Sequence, residues 1–501
     1  MKNSLIIGAG LASEKILDEV LEEKELSIKG ILDKDSTKYG VEKKGVLILG
    51  NYDNIENYVT NLNIEVIIIA TTEMSTEEIR DKIQKKIDNK KTVLYILPNI
   101  EDLDRNKSFI SQLRNINIPL SVPNLNKKEI LRNLEECLES GWVSTGGKFI
   151  PEFEKKVSKY LKIENTAGVQ SGTAGLHMSL QVLGVKKDEE VIVPTLTFIA
   201  AVNPVTYLGA NPVFIDCDDS LCIDPLKLEK FCSEECDFLD GILRNKKTKR
   251  KIKILVVVHV FGNMADMEKI MDIAKKYNLK VLEDATEAFG TYYIEGKYKG
   301  KFAGTIGDLG VLSFNANKII TTGGGGMVVG GNYELVEKAR FLSSQAKKDP
   351  LYFIHDEIGY NYRMLNLQAA LGTSQIDELE SFIETKMKNY YLYKEELSKI
   401  DGLELMSFRK GIRPNYWFYS LVVNKEKYGL TKDELLKKLV SENIQTRPIW
   451  GLIHQQKPYK NYEAYRIEKA LWYYDRVLNI PCSSNLTEKE VQIVIEKLSI
   501  D

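Results

Sequence analysis

The stretch Ser313-Phe-Asn-Ala-Asn-Lys318-Ile-Ile-Thr-Thr-Gly-Gly-Gly-Gly-Met327 decides the prediction of the fold. The residues before the lysine, 310–314, are apolar and β-rich, which predicts a short buried strand. The four glycines carry no side chains, so their backbone can turn freely and approach a ligand closely. A lysine beside such a loop can be desolvated, which lowers its pKa and makes the amine nucleophilic. A surface lysine before a flexible turn is the alternative.

The stretch resembles the cofactor-lysine segment of the DegT/StrS type of nucleotide-sugar aminotransferases, whose pattern is Ser-Phe-x-x-x-Lys-x-x-x-x-Gly-x-Gly-Gly. Members of that family are pyridoxal phosphate (PLP) enzymes with the aspartate aminotransferase fold. The resemblance implies that Lys318 carries the cofactor as a Schiff base and that Ser313 holds the cofactor phosphate. A sister branch of dehydratases has histidine at the lysine position, so the lysine implies amino transfer.

A second motif, Val281-Leu-Glu-Asp-Ala-Thr-Glu-Ala288, is typical of a strand that ends in acidic residues. A carboxylate held against the pyridine nitrogen of PLP keeps that nitrogen protonated, so that the ring can act as an electron sink. The resemblance places this role on Asp284 and a contact to the ring hydroxyl on Glu287. The chain between Asp284 and Lys318 has the length of a strand–helix–strand unit, which favours an active site over two solvated acids.

The segment Ala167-Gly-Val-Gln-Ser-Gly-Thr-Ala-Gly175 predicts a strand, a turn and the start of a helix. Free N–H groups at a helix N-terminus can bind a phosphate, although Ser-Gly-Thr also caps ordinary helices. The resemblance implies that Gly172 and Thr173 bind the cofactor phosphate. Phe198 follows the next predicted strand and matches an aromatic residue that stacks on the cofactor ring. A plain core phenylalanine is the alternative.

The motif Gly359-Tyr-Asn-Tyr-Arg-Met-Leu-Asn-Leu-Gln-Ala-Ala-Leu-Gly372 resembles the family pattern Gly-x-Asn-x-Arg-x-x-x-x-Gln-Ala-Ala. In the family, the asparagine reaches the cofactor phosphate of the neighbouring subunit. The resemblance therefore assigns this contact to Asn361 and implies a homodimer with shared active sites.

Substrate residues are predicted from two segments. The loop Gly141-Trp-Val-Ser-Thr-Gly-Gly147 lies near the sugar-nucleotide pocket in the family, which makes Trp142 and Ser144 candidates beside the alternative of a glycine-capped helix connection. Arg447 lies in a segment that resembles the family's substrate side and could bind a carboxylate or phosphate bidentately, or be a surface arginine.

A basic run at 244–253 is most simply a solvated loop before a strand at 254–258. A related insertion occurs in the branch of the family that serves legionaminic-acid-type sugar pathways.

Residues 1–105 alternate predicted strands and helices, which implies a parallel, doubly wound, Rossmann-like sheet. The predicted strands are Ser4–Ile7, Ile28–Leu32, Val46–Leu49, Glu65–Ala70 and Thr92–Leu97. A helix is predicted to run to about Glu23. On motifs such as Gly30-Ile-Leu-Asp33, the segment resembles N-terminal nucleotide-binding domains of polysaccharide-biosynthesis enzymes and sugar acyltransferases. Those domains bind different ligands, so the resemblance does not identify the ligand of this segment.

The turn Gly8-x-Gly10-x-x-Ser13 is of the dinucleotide type, with serine in place of the third glycine. Asp33 lies at the spacing at which an acid would meet a ribose hydroxyl. A Rossmann-like sheet that needs glycine at its first turn for structural reasons explains the pattern equally well.

The composition limits the class of protein and the partners that these predictions can involve. The chain has 501 residues, a net charge of -2, 43% hydrophobic and 28% charged residues, as expected of a globular protein of two or three domains. The charge balance gives no support for a nucleic-acid or membrane-surface partner, and no apolar run is long enough for a membrane span. Six scattered cysteines favour free cytosolic thiols over a metal site, and the N-terminus lacks a signal-peptide pattern, so we expect a cytoplasmic protein.

The predicted organisation is α/β throughout. A Rossmann-like nucleotide-binding domain occupies 1–105 and a linker 106–120. A PLP-binding aminotransferase large domain of fold type I occupies 121–375, and a small α/β domain 376–501.

The predicted function is a PLP-dependent aminotransferase acting on a UDP- or GDP-linked 4-keto-6-deoxy-hexosamine with glutamate as amino donor, in surface-polysaccharide or nonulosonic-acid biosynthesis. Two alternatives stay open. The first domain could be an NAD-binding redox module, which would make the enzyme bifunctional, or the protein could be a non-catalytic sugar-nucleotide sensor.

Overall fold

The structure is a computed structural model that describes residues 2–10, 13–14, 16–17, 26–71, 82–83, 85–87, 92–96, 114–115, 118–349 and 351–499. It divides into two compact units, residues 1–118 with 440–444, and residues 119–439 with 445–501. The domain boundaries given above remain predictions.

The first unit is built on a seven-stranded sheet. Its strands are β1 (Lys2–Ile7), β2 (Leu26–Leu32), β3 (Glu42–Lys43), β4 (Val46–Gly50), β5 (Val66–Ile69), β6 (Val93–Ile96) and β7 (Arg114–Asn115). Strands β4, β2, β1, β5 and β6 lie side by side in that order and run parallel, while β3 and β7 pair antiparallel at the edges. The five strands expected from the sequence are therefore present, with ends shifted by one or two residues. The helix expected to reach Glu23 lies largely outside the described residues.

Both faces of the first sheet are buried, which explains the unbroken apolar runs in its strands. Successive side chains point to opposite faces, so Leu5, Ile7 and Ile67 join one apolar cluster while Ile6 and Ile68 join the other. The two helices with described bounds in this unit are α1 (Ile55–Asn61) and α2 (Lys85–Ile87).

The second unit contains the large sheet that carries the candidate site. The strands of this unit are β8 (Asn165–Val169), β9 (Glu190–Pro194), β10 (Asn211–Ile215), β11 (Cys236–Leu239), β12 (Ile242–Asn245), β13 (Lys251–Val258), β14 (Lys280–Asp284), β15 (Tyr292–Tyr293), β16 (Leu309–Ser313), β17 (Gly326–Gly330), β18 (Lys347–Asp349), β19 (Ile354–His355), β20 (Leu403–Leu405), β21 (Ile412–Arg413), β22 (Tyr419–Val423), β23 (Arg447–Pro448), β24 (Ala464–Tyr465) and β25 (Val477–Ile480).

The large sheet has the order β24-β10-β9-β13-β14-β16-β17-β8. Strand β17 pairs antiparallel with both β16 and β8, and the other pairs along this path are parallel. The hairpin β11–β12 extends the sheet antiparallel to β13. The basic run 244–253 therefore spans the end of β12, a turn and the start of β13, and the strand begins three residues before the predicted 254.

The α-helices described after residue 118 include those that cover this sheet and connect its strands. They are α3 (Lys127–Ser140), α4 (Phe149–Leu161), α5 (Gly172–Leu183), α6 (Asn203–Tyr207), α7 (Pro225–Lys230), α8 (Met267–Lys276), α9 (Tyr333–Ser343), α10 (Asn366–Gln375), α11 (Leu379–Leu397), α12 (Lys425–Tyr428), α13 (Lys432–Ser441), α14 (Lys469–Tyr474) and α15 (Glu488–Leu498). A smaller four-stranded sheet, β20-β22-β25-β23, lies in the C-terminal part.

One expectation about connectivity was wrong. No helix is found between Asp284 and β16; the chain there forms turns and the short strand β15. Strands β14 and β16 are instead direct parallel neighbours, with Asp284 opposite Val311. Strand pairing therefore brings the acidic motif and the lysine motif together.

Among the described residues, no helix is both long and apolar enough to cross a membrane. In the same part of the chain, histidine, cysteine, aspartate and glutamate side chains form no group of three or more suited to a metal ion. All six cysteines are free and buried.

Candidate active site

Lys318 lies in the turn that follows β16, at the carboxyl end of that strand. Its side chain is 13% exposed, and its Nζ lies 3.6 Å from Oε1 of Glu287 and 3.9 Å from the centre of the Trp417 ring. Burial lowers the pKa of the Lys318 amine, although the charges of Glu287 and Asp284 oppose this shift. The amine is thus more easily deprotonated than a surface lysine, as a nucleophile requires.

Asp284 and Glu287 are buried at the end of β14. Burial raises the pKa of Asp284, against the hydrogen bonds from Thr286 and the nearby positive charge of Lys318. Burial also raises the pKa of Glu287 to about 7, although Lys318 and the Phe261 N–H, which donates to its Oε2 at 2.9 Å, both oppose it. The site therefore holds two buried acids and one buried amine, with Glu287 3.6 Å from the amine and Asp284 near enough to interact with its charge.

Glu283 fixes the strand that carries Asp284. Its side chain points to the opposite face of the sheet and is fully buried beside His259. The His259 Nδ1 accepts the Ala265 N–H at 3.2 Å, so its Nε2 carries the hydrogen and donates to Glu283 at 2.8 Å. Backbone N–H groups of residues 304, 306 and 307 also donate to this carboxylate. The backbone N–H of His259 donates to the Asp284 carbonyl at 3.0 Å, and this bond also holds the end of β14 in place.

The N-terminus of α5 lies against Ser313 and the Gly-rich loop. A Cβ added at Gly172 would lie 3.0 Å from Cβ of Ser313 and 3.1 Å from Thr286, and one at Gly326 would lie 2.7 Å from the Gly172 nitrogen. Ser171 caps the helix by accepting the Ala174 N–H. Side chains are therefore excluded where backbone N–H groups meet the Ser313 hydroxyl, an arrangement suited to a phosphate.

Amide side chains of α10 hold the Gly-rich loop in place. Gln368 donates to the Gly324 carbonyl at 2.6 Å, and Gln375 bonds both the N–H and the carbonyl of Thr321. Gln368 belongs to the Gln-Ala-Ala motif, to which the sequence assigned no separate role.

Arg363, from the same motif, anchors β8. Its guanidinium donates to Glu154 at 2.7 Å and to the Gly168 carbonyl at 2.9 Å. Glu154 also accepts the Gly168 N–H and two bonds from Arg340. Because β8 leads directly into α5, this buried cluster positions the phosphate-binding helix start.

Aromatic side chains form one wall of the site, and the sequence had singled out only Phe198 among them. Trp417 contacts the Lys318 amine, and its indole N–H donates to the Asn317 carbonyl at 2.8 Å. Phe261 packs on Trp450 at 4.5 Å between ring centres, and Phe198 lies 6.5 Å from the same ring. Phe198 is half exposed, which argues against the alternative of a core phenylalanine. Nothing in the run Asn415-Tyr-Trp-Phe-Tyr419 signals a lysine contact.

Asn415 ties this wall to the acids. Its fully buried amide donates to the backbone carbonyls of Glu287 and Phe289 at 2.9 and 3.0 Å. Its side-chain oxygen accepts the backbone N–H of Trp417 at 2.9 Å. The turn Phe261–Gly262 has positive φ at both residues, 55° and 87°, and a Cβ at Gly262 would collide with the Asn415 oxygen. The left-handed backbone at Phe261 costs of order 1 kcal/mol and aims its N–H at Glu287.

The remaining predicted residues lie at the surface or are partly buried. Trp142 and Ser144 are exposed, and their carbonyls accept hydrogen bonds from Asn366. Arg447 is exposed in β23 and donates to the Thr446 carbonyl. Asn361 is exposed opposite Ser344. Thr173 is partly buried in the first turn of α5.

In the first unit, the Gly8 turn is held from within. Gly8 has φ of 103°, and a Cβ there would lie 2.9 Å from Thr71. Asp33 accepts the N–H groups of Ala9 at 2.6 Å and Asp35 at 2.9 Å, which lower its pKa despite burial. Ser13 donates to the Gly10 carbonyl. Asp33 thus has a structural role in the turn, whatever ligand the turn binds.

The second unit fits a phosphorylated pyridine aldehyde. A helix start and a serine hydroxyl suit its phosphate, a buried carboxylate suits its ring nitrogen, and an amine of lowered pKa suits its aldehyde. These groups meet at the carboxyl ends of neighbouring strands, where ligands bind in open α/β sheets. Fold and site together define a PLP-dependent aminotransferase of fold type I.

Comparison with known proteins makes this assignment specific. The chain belongs to the DegT/DnrJ/EryC1/StrS aminotransferase family, whose profile matches residues 124–499. It is a PLP-dependent sugar aminotransferase. It is 34% identical over 383 residues to a GDP-perosamine synthase of Escherichia coli O157:H7, covering 76% of this chain and 98% of that protein.

A second relative is the UDP-4-amino-4,6-dideoxy-N-acetyl-beta-L-altrosamine transaminase of Campylobacter jejuni, 30% identical and covering 71% of this chain and 90% of that protein. Among solved structures, the aminotransferase TlmJ from Streptoalloteichus hindustanus superposes with a TM-score of 0.68 at 25% identity, covering 76% of this chain and 98% of that one. The family profile spans nearly the whole second unit, which confirms the family predicted from the Lys318 stretch.

Replacing Glu287 tests the electrostatics of the site. Its pKa of about 7 in the folded protein lies above the ordinary 4.5, so the folded state binds the extra proton between these values. Stability that is present below pH ~4.5 is therefore lost as pH rises through ~7. In cofactor-free protein, the free energy of unfolding of Glu287→Gln should therefore rise relative to that of wild type as pH increases from ~4.5 to ~7. The rise should be at most about 3 kcal/mol.

Denaturant unfolding at a series of pH values measures the difference. Glu334→Gln, which changes an exposed glutamate, is the control and should give no such pH dependence. A constant difference between Glu287→Gln and wild type from pH 4 to 8 would contradict the predicted environment of Glu287.

Proposed function

We propose that the enzyme aminates a nucleotide-linked 4-keto-6-deoxy-hexosamine, joined to UDP or GDP, with glutamate as amino donor. The names of its relatives support this: one makes GDP-perosamine, and another forms a UDP-linked sugar with an amino group at C4 and a deoxygenated C6. Surface-polysaccharide or nonulosonic-acid biosynthesis, including the legionaminic type, is the proposed pathway class. The single observation that carries the proposal is the buried Lys318 amine beside Glu287 and Trp417.

The proposed roles follow from the contacts. PLP, when bound, supplies an electron sink that stabilises negative charge on the carbon losing a proton. Lys318 Nζ, with its lowered pKa, accepts that proton and later returns it. Asp284 holds the proton on the pyridine nitrogen, and Glu287 orients the ring hydroxyl. The phosphate is bound by Gly172, Thr173 and Ser313.

The remaining roles concern the ring and the substrate. Phe198 stacks on the cofactor ring from the edge of the aromatic wall. Trp142, Ser144 and Arg447 contact the nucleotide sugar; all three are exposed, and the guanidinium of Arg447 can bind a phosphate or carboxylate bidentately.

A panel of UDP- and GDP-linked keto-sugars tests the function. With glutamate, we expect one or more of them to gain a single amino group, detected by mass spectrometry of the product. Lys318→Ala should bind PLP through its phosphate but form no product, since the proton carrier is gone. Product formation over many turnovers by Lys318→Ala, or no product from any sugar with PLP-loaded wild type, would refute the proposal.

We also propose a homodimer in which the partner subunit's Asn361 completes the phosphate site. Asn361 is exposed on its own subunit, between Tyr360 and Tyr362, whose rings stack at 5.0 Å. The hairpin β18–β19 and the segment that follows it present exposed apolar side chains, with Leu351 75% and Ile358 85% exposed. Such a patch is typical of a surface that another chain covers.

Subunit mixing tests the shared site. Lys318→Ala and Asn361→Ala should each be inactive, and their heterodimer has one site with both residues intact. After random exchange of equal amounts, half the dimers are mixed, so about a quarter of wild-type activity should return. Mixing Lys318→Ala with Asp284→Ala is the matched control, since both residues belong to one subunit's site and no activity should return.

For the first unit we propose a nucleotide or nucleotide-sugar site at the turn of Gly8, Gly10 and Ser13. The parallel strand order and the tight Gly8 turn support a Rossmann-like assignment. A redox module remains the competing proposal, and a nicotinamide titration separates the two. Buried free thiols support a cytoplasmic location for the whole chain.

The two units should function separately. A chain that begins at Asn117 keeps the Ile118–Asn443 and Leu120–Cys482 backbone bonds and should stay folded, dimeric and PLP-loaded. The isolated first unit should bind a nucleotide or nucleotide-sugar in calorimetry. Loss of PLP from the shortened chain would refute its independence, and no heat of binding with any nucleotide or nucleotide-sugar would reduce the Gly8 turn to a structural element.

A further inference from the structure

The surroundings of the Lys318 amine have to suit both of its protonation states. In the proposed amino transfer, on which this inference rests, the amine is neutral before it accepts a proton from carbon and cationic afterwards. Burial favours the neutral form, which is why it lowers the pKa of Lys318. A group that stabilises the cationic form without adding a fixed charge would complete the proton carrier.

The two acids of the site are incomplete counterions for that cation. Asp284 and Glu287 are the carboxyl groups whose charges act on Lys318. Glu287 Oε1 lies 3.6 Å from the amine, and burial raises the pKa of Glu287 to about 7. A carboxyl group with that pKa is about half protonated at pH 7, so it supplies only part of a negative charge. Asp284 is assigned to the ring nitrogen of the cofactor.

The ring face of Trp417 is a further partner of the amine. Lys318 Nζ lies 3.9 Å from the ring centre, within the distance of about 6 Å at which an aromatic face attracts an ammonium. Tryptophan is the best aromatic side chain for this contact, and the attraction grows when water is excluded. Trp417 is 4% exposed and the Lys318 side chain 13%, so the pair is shielded from water.

Three contacts fix the ring over the amine. The indole N–H donates to the Asn317 carbonyl at 2.8 Å, which ties the ring to the residue before the lysine. The backbone N–H of Trp417 donates to the side-chain oxygen of Asn415 at 2.9 Å. The Phe418 ring stacks on the indole, with 4.0 Å between ring centres and an interplanar angle of 4°. These contacts hold the ring in the orientation in which Lys318 lies over its face.

We propose that Trp417 is a further catalytic residue, whose ring face stabilises the protonated Lys318 amine while that amine is detached from the cofactor. Proton transfer breaks a C–H bond of the substrate and forms an N–H bond at Lys318, and the electron pair stays with the carbon. The positive charge that appears on Nζ is the charge that the ring attracts. Returning the proton removes it, so the ring acts on only one of the two protonation states.

The alternative role of Trp417 is that of an apolar cover. Excluding water depends on the size of the side chain, whereas attraction of an ammonium depends on the electron density of the ring face. Fluorine atoms on the indole withdraw that electron density and change the shape of the ring little. A series of fluorinated tryptophans therefore separates the two roles.

Competitive acetylation of the full-length protein without PLP measures the pKa of the Lys318 amine, read from its peptide by mass spectrometry. Replacing tryptophan biosynthetically by mono-, di- and trifluorotryptophan should lower the midpoint of the labelling profile stepwise. We expect about a tenfold change in the acid dissociation constant, or about one pH unit, over the series. The same series in Trp417→Phe is the matched control and should give no shift, because Trp142, Trp450 and Trp472 remain.

Two substitutions supply a measurement that needs no fluorinated residue. Trp417→Phe keeps a ring face and Trp417→Leu has none, so the Lys318 midpoint should be lower in Trp417→Leu. If Trp417 only excludes water, the space left beside leucine admits water and moves that midpoint upward. The two roles therefore predict opposite signs.

Exchange of the α-hydrogen of glutamate with D₂O, in PLP-loaded protein, reports on the proton transfer itself. Its rate should fall about tenfold along the fluorotryptophan series, because the cation formed at Lys318 is less stabilised. The rate should stay constant along the same series in Trp417→Phe.

Equal labelling midpoints across the fluorotryptophan series, or the same shift in Trp417→Phe, would overturn the proposal. A midpoint in Trp417→Leu at or above that of Trp417→Phe would also overturn it and leave Trp417 as an apolar cover. The labelling experiments contain neither PLP nor sugar, so their outcome is separate from that of the keto-sugar panel, which tests the proposed function.

Discussion

The exclusion of water from the Lys318 amine is the constraint on which the rest of the second unit depends. A lone ammonium or carboxylate taken out of water costs several kcal/mol, so neither Lys318 nor Glu287 would be stable there alone. Burial lowers the pKa of the lysine and raises that of the glutamate, which brings both toward their neutral forms. Trp417 covers the amine and restricts the approach of solvent. A nucleophilic amine and a carboxyl group can therefore coexist at neutral pH.

Excluding water from such a site requires that other contacts hold in place the strands that carry it. Glu283 gathers its donors on the far face of β14, so the strand cannot slide and Asp284 keeps its place beside β16. Glu154 does the same for β8 with two arginines. In both clusters every described oxygen of a buried carboxylate has a donor, which is what makes burial of the charge tolerable. Rigid strands thus position a site whose residues lie at the ends of strands and in the segments that follow them.

Much of the candidate site was predictable because its chemistry is written in short motifs. Lys318, Ser313, Asp284 and Gly172 each lie in a segment whose pattern combines a strand with glycine or acid at its end. The structure brings these residues together at one edge of the sheet. By contrast, Trp417, Phe261 and Asn415 lie in segments with no signal beyond ordinary strand and turn composition. Their contacts join residues that lie apart in the sequence, by 26 positions for Phe261 and Glu287, 99 for Trp417 and Lys318 and 128 for Asn415 and Glu287, which a local pattern does not encode.

The connection between the acidic and lysine motifs shows the same limit. Its length suggested a helix, but the chain forms turns, because β14 and β16 pair directly and the segment needs only to return along the sheet. Likewise, the spacing of Asp33 suggested a ligand contact, and the fold adds hydrogen bonds that its oxygens accept from the backbone N–H groups of Ala9 and Asp35. A residue type at the right spacing specifies what chemistry is available, and the partners that satisfy it depend on the fold.

The sequence by itself determined the family, the candidate lysine and the strands of the first sheet. These follow from local hydrophobic periodicity and from motifs within about fifteen residues. Only the tertiary structure decided which groups surround the lysine and how far their pKa values move. Burial and charge–charge interaction depend on distances between remote parts of the chain, and these are set when the sheet assembles.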